Sequence, residues 1–322
     1  MNIDWKSVFD FIVLFLTVGI PLSSALLLAA LGESINQRSG IFNLGCEGIM
    51  SMGAFVGMLI PFMINGSKPV AWYVNVAGLA AAALIGALMG LLFGIVVIRF
   101  NAPQGIAGIG MQLFGTGLAG SMFRHFIGGA EGVTGINSIQ IPLLSKIPIL
   151  GKMLFSCNPM VYFAFLMVPL INYIMKKTPW GLRVRACGIH PRAADSMGID
   201  VHRTRYEALA VGSAFAGLAG AYMSLCYAKL FTDSLIGGRG FIAVALVYFG
   251  QWSPLGIMGG ALLFSLAQAL QLAVQAYGIA FPYEFLIMLP YLLVIVVLMF
   301  VGKKKHVGPT VLGQPFNREV RI

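Results

Sequence analysis

The chain has 322 residues, of which 58% are hydrophobic and 10% are charged, with a mean hydropathy of +0.88. Soluble domains carry about 25% charged residues, so a soluble enzyme or scaffold is excluded and a polytopic membrane protein is implied. The formal net charge of +10 does not point to nucleic acid, because the bases gather in two segments that border apolar runs and no basic–aromatic platform accompanies them.

A bilayer span needs roughly 20 apolar residues in a helix, and lipid admits only helices or a closed barrel. The apolar runs are longer than barrel strands, so the reading is all-α: one transmembrane domain over 1–322, a helical bundle of about eight to ten spans. In chain order the runs are Phe9–Leu31, Leu44–Ile64, Val74–Ile98, Gly105–Phe123, Met160–Met175, Tyr206–Tyr227, the short Phe241–Trp252, Leu255–Tyr277 and Phe285–Val301. The 40 glycines fit closely packed membrane helices. The N-terminus lacks a basic region and a cleavage site, so no cleavable signal peptide is expected. The four cysteines, Cys46, Cys157, Cys187 and Cys226, have neither close pairing nor metal-ligand spacing and read as packing residues.

Lysine and arginine set the orientation. The segment 176–205 holds seven bases against Asp195 and Asp200, and the tail 303–322 opens with three lysines. Both read as cytoplasmic. Four helices separate them, which agrees. Gly32–Asn43 then reads as a cytoplasmic connection, and 124–158 as an external loop. Within 176–205, Pro191 is placed to start a short helix and Gly198 to end it near Met197. An ordered element there exceeds what a connector needs, and a docking surface is the favoured use.

Several stretches carry a resemblance. "INQRSGIFNLGCEGIMSMGAFVG" is similar to the signature of permease subunits of bacterial ABC importers, in the superfamily that includes ribose-type and branched-chain amino-acid permeases. Its Arg-Ser-Gly, Asn-Leu-Gly and Glu-Gly-Ile-Met elements look most like the nucleoside and simple-sugar branch. "IPLLSKIPILGKMLF", "TPWGLRVRACGIHPRAADSMGIDVHRTR", "GSAFAGLAGA" and "GRGFIAVALVYFGQWSPLG" extend the likeness over roughly Leu31 to Phe300. One departure is Gly188-Ile189-His190-Pro191, where the family usually has Gly-x-Asn.

The resemblance implies a coupling loop for a separate ATPase subunit, carried here by Arg185, Gly188, Pro191, Arg192, Ala193, Ala194, Met197 and Gly198. Ala193, Ala194 and Met197 are expected to offer a compact face to a groove of that ATPase, flanked by Arg185, Arg192 and Arg203. It also implies an extracytoplasmic binding lipoprotein that delivers solute, and a sister permease, more in keeping with a heterodimer than a homodimer. The chain has no Walker A sequence, so ATP and Mg²⁺ belong to the partner and no cofactor is expected here.

The polar residues of the apolar runs are the candidates for the passage. Asn43 is placed to meet the N–H of Gly45 or Cys46 at the start of the second helix. Glu47 faces the positive end of that helix dipole, with a pathway contact or an ion pair to Arg38 as alternatives. Gln104, Gln112, Thr116, Gln268 and Gln271 offer amide and hydroxyl groups, against a plain reading as interhelical hydrogen bonds. Phe114, Tyr248 and Trp252 are able to stack on a flat base. Gly-rich polar starts at Glu47 and at Arg239, one in each half of the chain, suggest an internal inverted repeat. The acids Glu33, Glu47, Glu207 and Glu284 all read as lying near helix ends, which argues against proton relay; a self-sufficient secondary transporter stays open as an alternative through sodium bound by backbone carbonyls. The solute is expected to be a nucleoside, with a monosaccharide or a riboflavin-like heterocycle as alternatives.

Overall fold

The computed structural model describes residues 5–129, 132–139, 156–276, part of 284–299 and 308–316. Most of the ninth run, Phe285–Val301, the sequence 140–155 of the external loop, and the lysines that open the tail lie outside the described residues.

Ten helices follow one another among the described residues: α1 (Trp5–Arg38), α2 (Cys46–Asn65), α3 (Trp72–Gly94), α4 (Gln104–Phe126), α5 (Pro159–Lys177), α6 (Pro179–Ile189), α7 (Pro191–Ser196), α8 (Val201–Tyr222), α9 (Arg239–Phe249) and α10 (Pro254–Ala276). Two of them run on into a π-helical turn, α3 at Ile95–Arg99 and α8 at Met223–Tyr227. Among the described residues, seven stretches are long and apolar enough to cross a membrane, while α9 is an apolar helix too short to do so alone. The helical bundle is therefore polytopic.

The first helix departs from the reading of the sequence. The polar run Gly32–Arg38 does not leave α1 but continues it. Its polar groups are satisfied within the helix: Ser34 Oγ donates to Leu31 O at 2.7 Å, and Asn36 and Gln37 donate to Glu33 one turn back. The helix stops at Gly40, whose φ of +92° allows Gly40 N–H to reach Gln37 O and Ile41 N–H to reach Asn36 O, the paired bonds of a glycine C-terminal motif.

α8 is the hub. It packs on α1, α2 and α3, and the seams are made of small residues. Gly53 faces Gly217, Gly86 faces Ser213, and Gly220 lies against the carbonyl of Met50 so closely that a Cβ would overlap it. Such contacts replace the hydrophobic driving force that lipid removes.

The segment 176–205 is more ordered than a single short helix. An 11-residue helix, α6, precedes the short one, and its glycines serve close contacts: Gly181 lies on the backbone of Met175, and Gly188 on the carbonyl of Arg38 and on Pro309. Thr178 and Asp200 cap α6 and α8 through Gly181 N–H at 3.2 Å and Arg203 N–H at 2.9 Å. The tail 308–316 lies on the same end of the molecule. Val311 N–H donates to Gly188 O at 3.3 Å, Gly313 N–H donates to Gly40 O at 3.1 Å, and Thr310 Oγ1 donates to Ile189 O. We call this the basic end.

Candidate functional site: a carboxylate between two helix starts

α2 and α9 are interrupted helices. Each is preceded by irregular chain, Ser39–Gly45 before α2 and Ala228–Gly238 before α9. Irregular backbone in a membrane bundle must find its hydrogen bonds inside the protein. The two breaks do this around one carboxylate.

Glu47, the second residue of α2, does not stay on its own helix. Gly238 N–H donates to its Oε1 at 2.8 Å and Gly240 N–H to its Oε2 at 2.6 Å. These are the opening amides of α9, which has no side-chain cap of its own. Gly238 sits at φ +83°, and a Cβ on Gly240 would collide with the backbone of Glu47. The carboxylate thus lies between the positive ends of two helices. Arg239, between the two glycines, turns back to donate to Ile236 O at 3.0 Å.

The break before α2 is held by side chains. Phe42 N–H donates to Gln104 Oε1 at 2.7 Å, Asn43 N–H to Glu33 Oε1 at 3.1 Å, and Gly45 N–H to Asn43 Oδ1 at 2.9 Å. Glu33 is 1% exposed and also receives Asn36 Nδ2 at 2.9 Å and Gln37 Nε2 at 3.3 Å. Gln37 Oε1 in turn accepts from Trp252 Nε1 at 2.9 Å. Arg38 donates twice to the carbonyl of Trp252, at 3.1 and 2.8 Å. The ion pair between Arg38 and Glu47 is therefore not formed: each uses backbone groups released where a helix is broken.

Lengths place the site. Glu33 lies five residues before Arg38, roughly 7.5 Å along the helix, and the eleven residues of α9 cover roughly 16 Å from Glu47 towards Trp252. The two helix starts meet inside the bundle. α2 runs away from the basic end and α9 runs towards it, the geometry of discontinuous helices at a transporter binding region. Glu33 is thus an interior residue of α1, and its expected position at a helix end is corrected. The sequence did hold a signal for it, since an acid followed by Asn at i+3 and Gln at i+4 is a self-satisfying polar face.

Of the other candidates, Gln112 is half-buried on α4, its backbone against Gly48, and Thr116 Oγ1 returns to Gln112 O at 2.9 Å. Phe114 points outward, 49% exposed. Tyr248 stacks edge-on with Trp252 at 4.8 Å and Phe42 at 6.5 Å, beside a cleft of about 460 Å³ closed on its other side by 308–313. Gln268 and Gln271 are half-buried on α10, which packs on α1, α5 and α9. Gln268 Oε1 has no hydrogen-bond partner among the described residues. Asn43, Glu47 and Gln104 are thus brought together, Gln112 lies alongside, and no described contact joins Phe114, Gln268 or Gln271 to them.

At the basic end Pro191 opens α7, and Gly198, at φ +82°, ends the turn that follows it. Arg192, Ala193 and Met197 are exposed, Met197 at 83%. Ala194 is not. It is buried against Cys187, Val201 and Phe316, so its expected place on an outward face is corrected: the helix is one and a half turns long and must bury one side to hold its position. Arg185 is half-buried, and Gly188 is covered by the tail. Burial pushes the Cys187 thiol up, in keeping with a packing cysteine. Among the described residues no group of three His, Cys, Asp or Glu is placed to hold a metal ion.

Comparison with known proteins identifies the family. The family model described as branched-chain amino acid transport system / permease component matches residues 15–301. The guanosine ABC transporter permease NupQ of Bacillus subtilis is 34% identical over 95% of this chain and 98% of its own length. TsgC13 of Haloferax volcanii, named for glucose, is 36% identical over 82% of this chain and 79% of its own. The nucleoside ABC transporter permease NupC of Lactococcus lactis is 33% identical over 87% and 90%. No solved structure matches. The chain belongs to the permease-component family of the branched-chain amino acid transport systems, as a multi-pass subunit of the plasma membrane.

Proposed function

We propose that this permease passes a neutral nucleoside across the membrane in an ATP-driven importer. The observation that carries the choice of solute is the placement of Glu47. Two interrupted helices aim their positive ends at one spot, where an anionic solute group is often bound. Here the chain supplies the anion itself, through two short charge-assisted hydrogen bonds. The helix dipoles are already compensated, which favours an uncharged polar solute. Phe42, Tyr248 and Trp252 add flat apolar rings towards the other end of α9, suited to a base more than to a pyranose. The names of NupQ and NupC support the nucleoside; that of TsgC13 favours a monosaccharide as the second reading.

The basic end faces the cytosol in this reading. An ATPase subunit, which binds ATP and Mg²⁺, docks on the exposed side of α7. A sister permease completes the passage, and an extracytoplasmic lipoprotein delivers solute at the opposite end. Closure of the ATPases moves α6 and α7, and the tail carries that motion to Gly40 and Trp252, beside both interrupted helices.

The test is uptake by the complete transporter in proteoliposomes, with labelled guanosine and labelled glucose in parallel. ATP-dependent guanosine uptake that excess glucose leaves unchanged is expected. Glucose uptake without guanosine uptake would establish the monosaccharide reading instead.

A further inference from the structure

The basic end holds a cleft of about 480 Å³ between α7 and the tail. His190, Arg192 and Ala193 form one wall, Gln314 and Phe316 the other, and Arg205 is part of the lining. Three of the lining residues are basic types, and none is an acid. Arg205 is 2% exposed. Its Nε donates to Ser39 O at 3.2 Å and its Nη1 to Gln314 O at 3.4 Å, while Nη2 has no acceptor among the described residues. A buried guanidinium held only by neutral carbonyls is undercompensated, since a buried charge calls for an opposite charge or a full set of hydrogen bonds.

The geometry points to this cleft as a second half of the ATPase docking surface: an Asp or Glu side chain of the ATPase enters between α7 and the tail and meets Arg192 and Arg205. The inference rests on the reading of α7 as the docking element. A protein carboxylate fits because one wall is the exposed side of α7, which continues through Arg192 and Ala193 to Met197. An occupant of the cleft therefore also meets that side. The tail then belongs to the docking surface and is more than a cover.

The complete transporter, carrying a photo-crosslinking amino acid at Gln314 or at Met197, tests this. Both positions are expected to crosslink to the ATPase, and the Gln314 adduct to map to an ATPase peptide containing Asp or Glu. Arg192→Glu, on an exposed side chain, is expected to lower the ATPase recovered with the permease by about tenfold at low salt, the loss of one charge-assisted contact, with unchanged membrane insertion. Crosslinking from Met197 but not from Gln314 overturns the cleft and leaves docking on α7 intact. Crosslinking from neither position overturns docking on α7 itself. A Gln314 adduct confined to lipid or to this chain's own C-terminus, or unchanged recovery with Arg192→Glu, also overturns the cleft.

Discussion

The two breaks in the helices solve the same problem by opposite means. Ser39–Gly45 is held by side chains that reach it from elsewhere: Gln104 from α4, Glu33 from α1, and Asn43 from within. The opening amides of α9 are held by one side chain, Glu47, and by glycines that let the backbone come to it. In the first break each side chain takes one backbone amide. In the second, one carboxylate takes two. Loss of a single group is therefore expected to cost more at α9 than at α2, and substitutions rank the two accordingly.

Gly240→Ala is expected to have the largest effect. The added methyl meets backbone that cannot swing aside, and overpacking of this kind costs about 1–3 kcal/mol or more. A marked fall in the melting temperature of the purified chain, with loss of transport, is the outcome to look for. Glu47→Gln comes next. The amide keeps one acceptor and turns an N–H towards another N–H, a loss of about 1.5–3 kcal/mol for a bond to a charged group. A cysteine introduced at Phe241, on the exposed side of α9, should become more reactive to a water-soluble maleimide in this variant. Unaltered reactivity would mean that α9 does not depend on Glu47.

Gln104→Leu leaves Phe42 N–H without its acceptor and should cost about 1 kcal/mol, with a smaller fall in melting temperature than Glu47→Gln. If the two falls were equal, the contrast between the breaks would be lost. Asn43→Ala removes one local bond before a helix and should cost about 0.5 kcal/mol, the low end for such caps. Met197→Ala, on an 83% exposed side chain, should leave the melting temperature unchanged within the roughly 0.5 kcal/mol typical of surface sites. It should nevertheless reduce solute-stimulated ATP hydrolysis by the complete transporter.

What the sequence allowed to be read follows the same contrast. Apolar period and length set the spans, so α2, α3, α4, α5 and α10 begin and end within a few residues of their runs. Pro191 and Gly198 marked the short helix through their fixed backbone preferences. Asn43 and Glu47 stood out because polar residues in an apolar chain need a reason. Their partners did not stand out, because Gly238 and Gly240 lie almost two hundred residues away and contribute only backbone N–H groups, which every non-proline residue has. Glu33 was misplaced because a run of polar residues resembles a connection, whereas here they satisfy one another and stay in the helix. Ala194 was misread for a related reason: a small residue permits close approach from either side, and sequence does not say which side is taken.

The tail has a bearing on how the protein is made. Residues 308–316 are synthesised after every residue they hold: they supply hydrogen-bond partners to Gly40, Gly188, Ile189 and Arg205, and Gly308 lies against the Trp252 ring. Those five residues lie between 40 and 252 and leave the ribosome before their common partner exists. Until residue 316 is released, the basic end stays open and Arg205 lacks Gln314. A chain stalled before residue 308 therefore lacks the closed form of this surface. The basic end is therefore closed last in the order of synthesis, by nine residues that follow all those they hold.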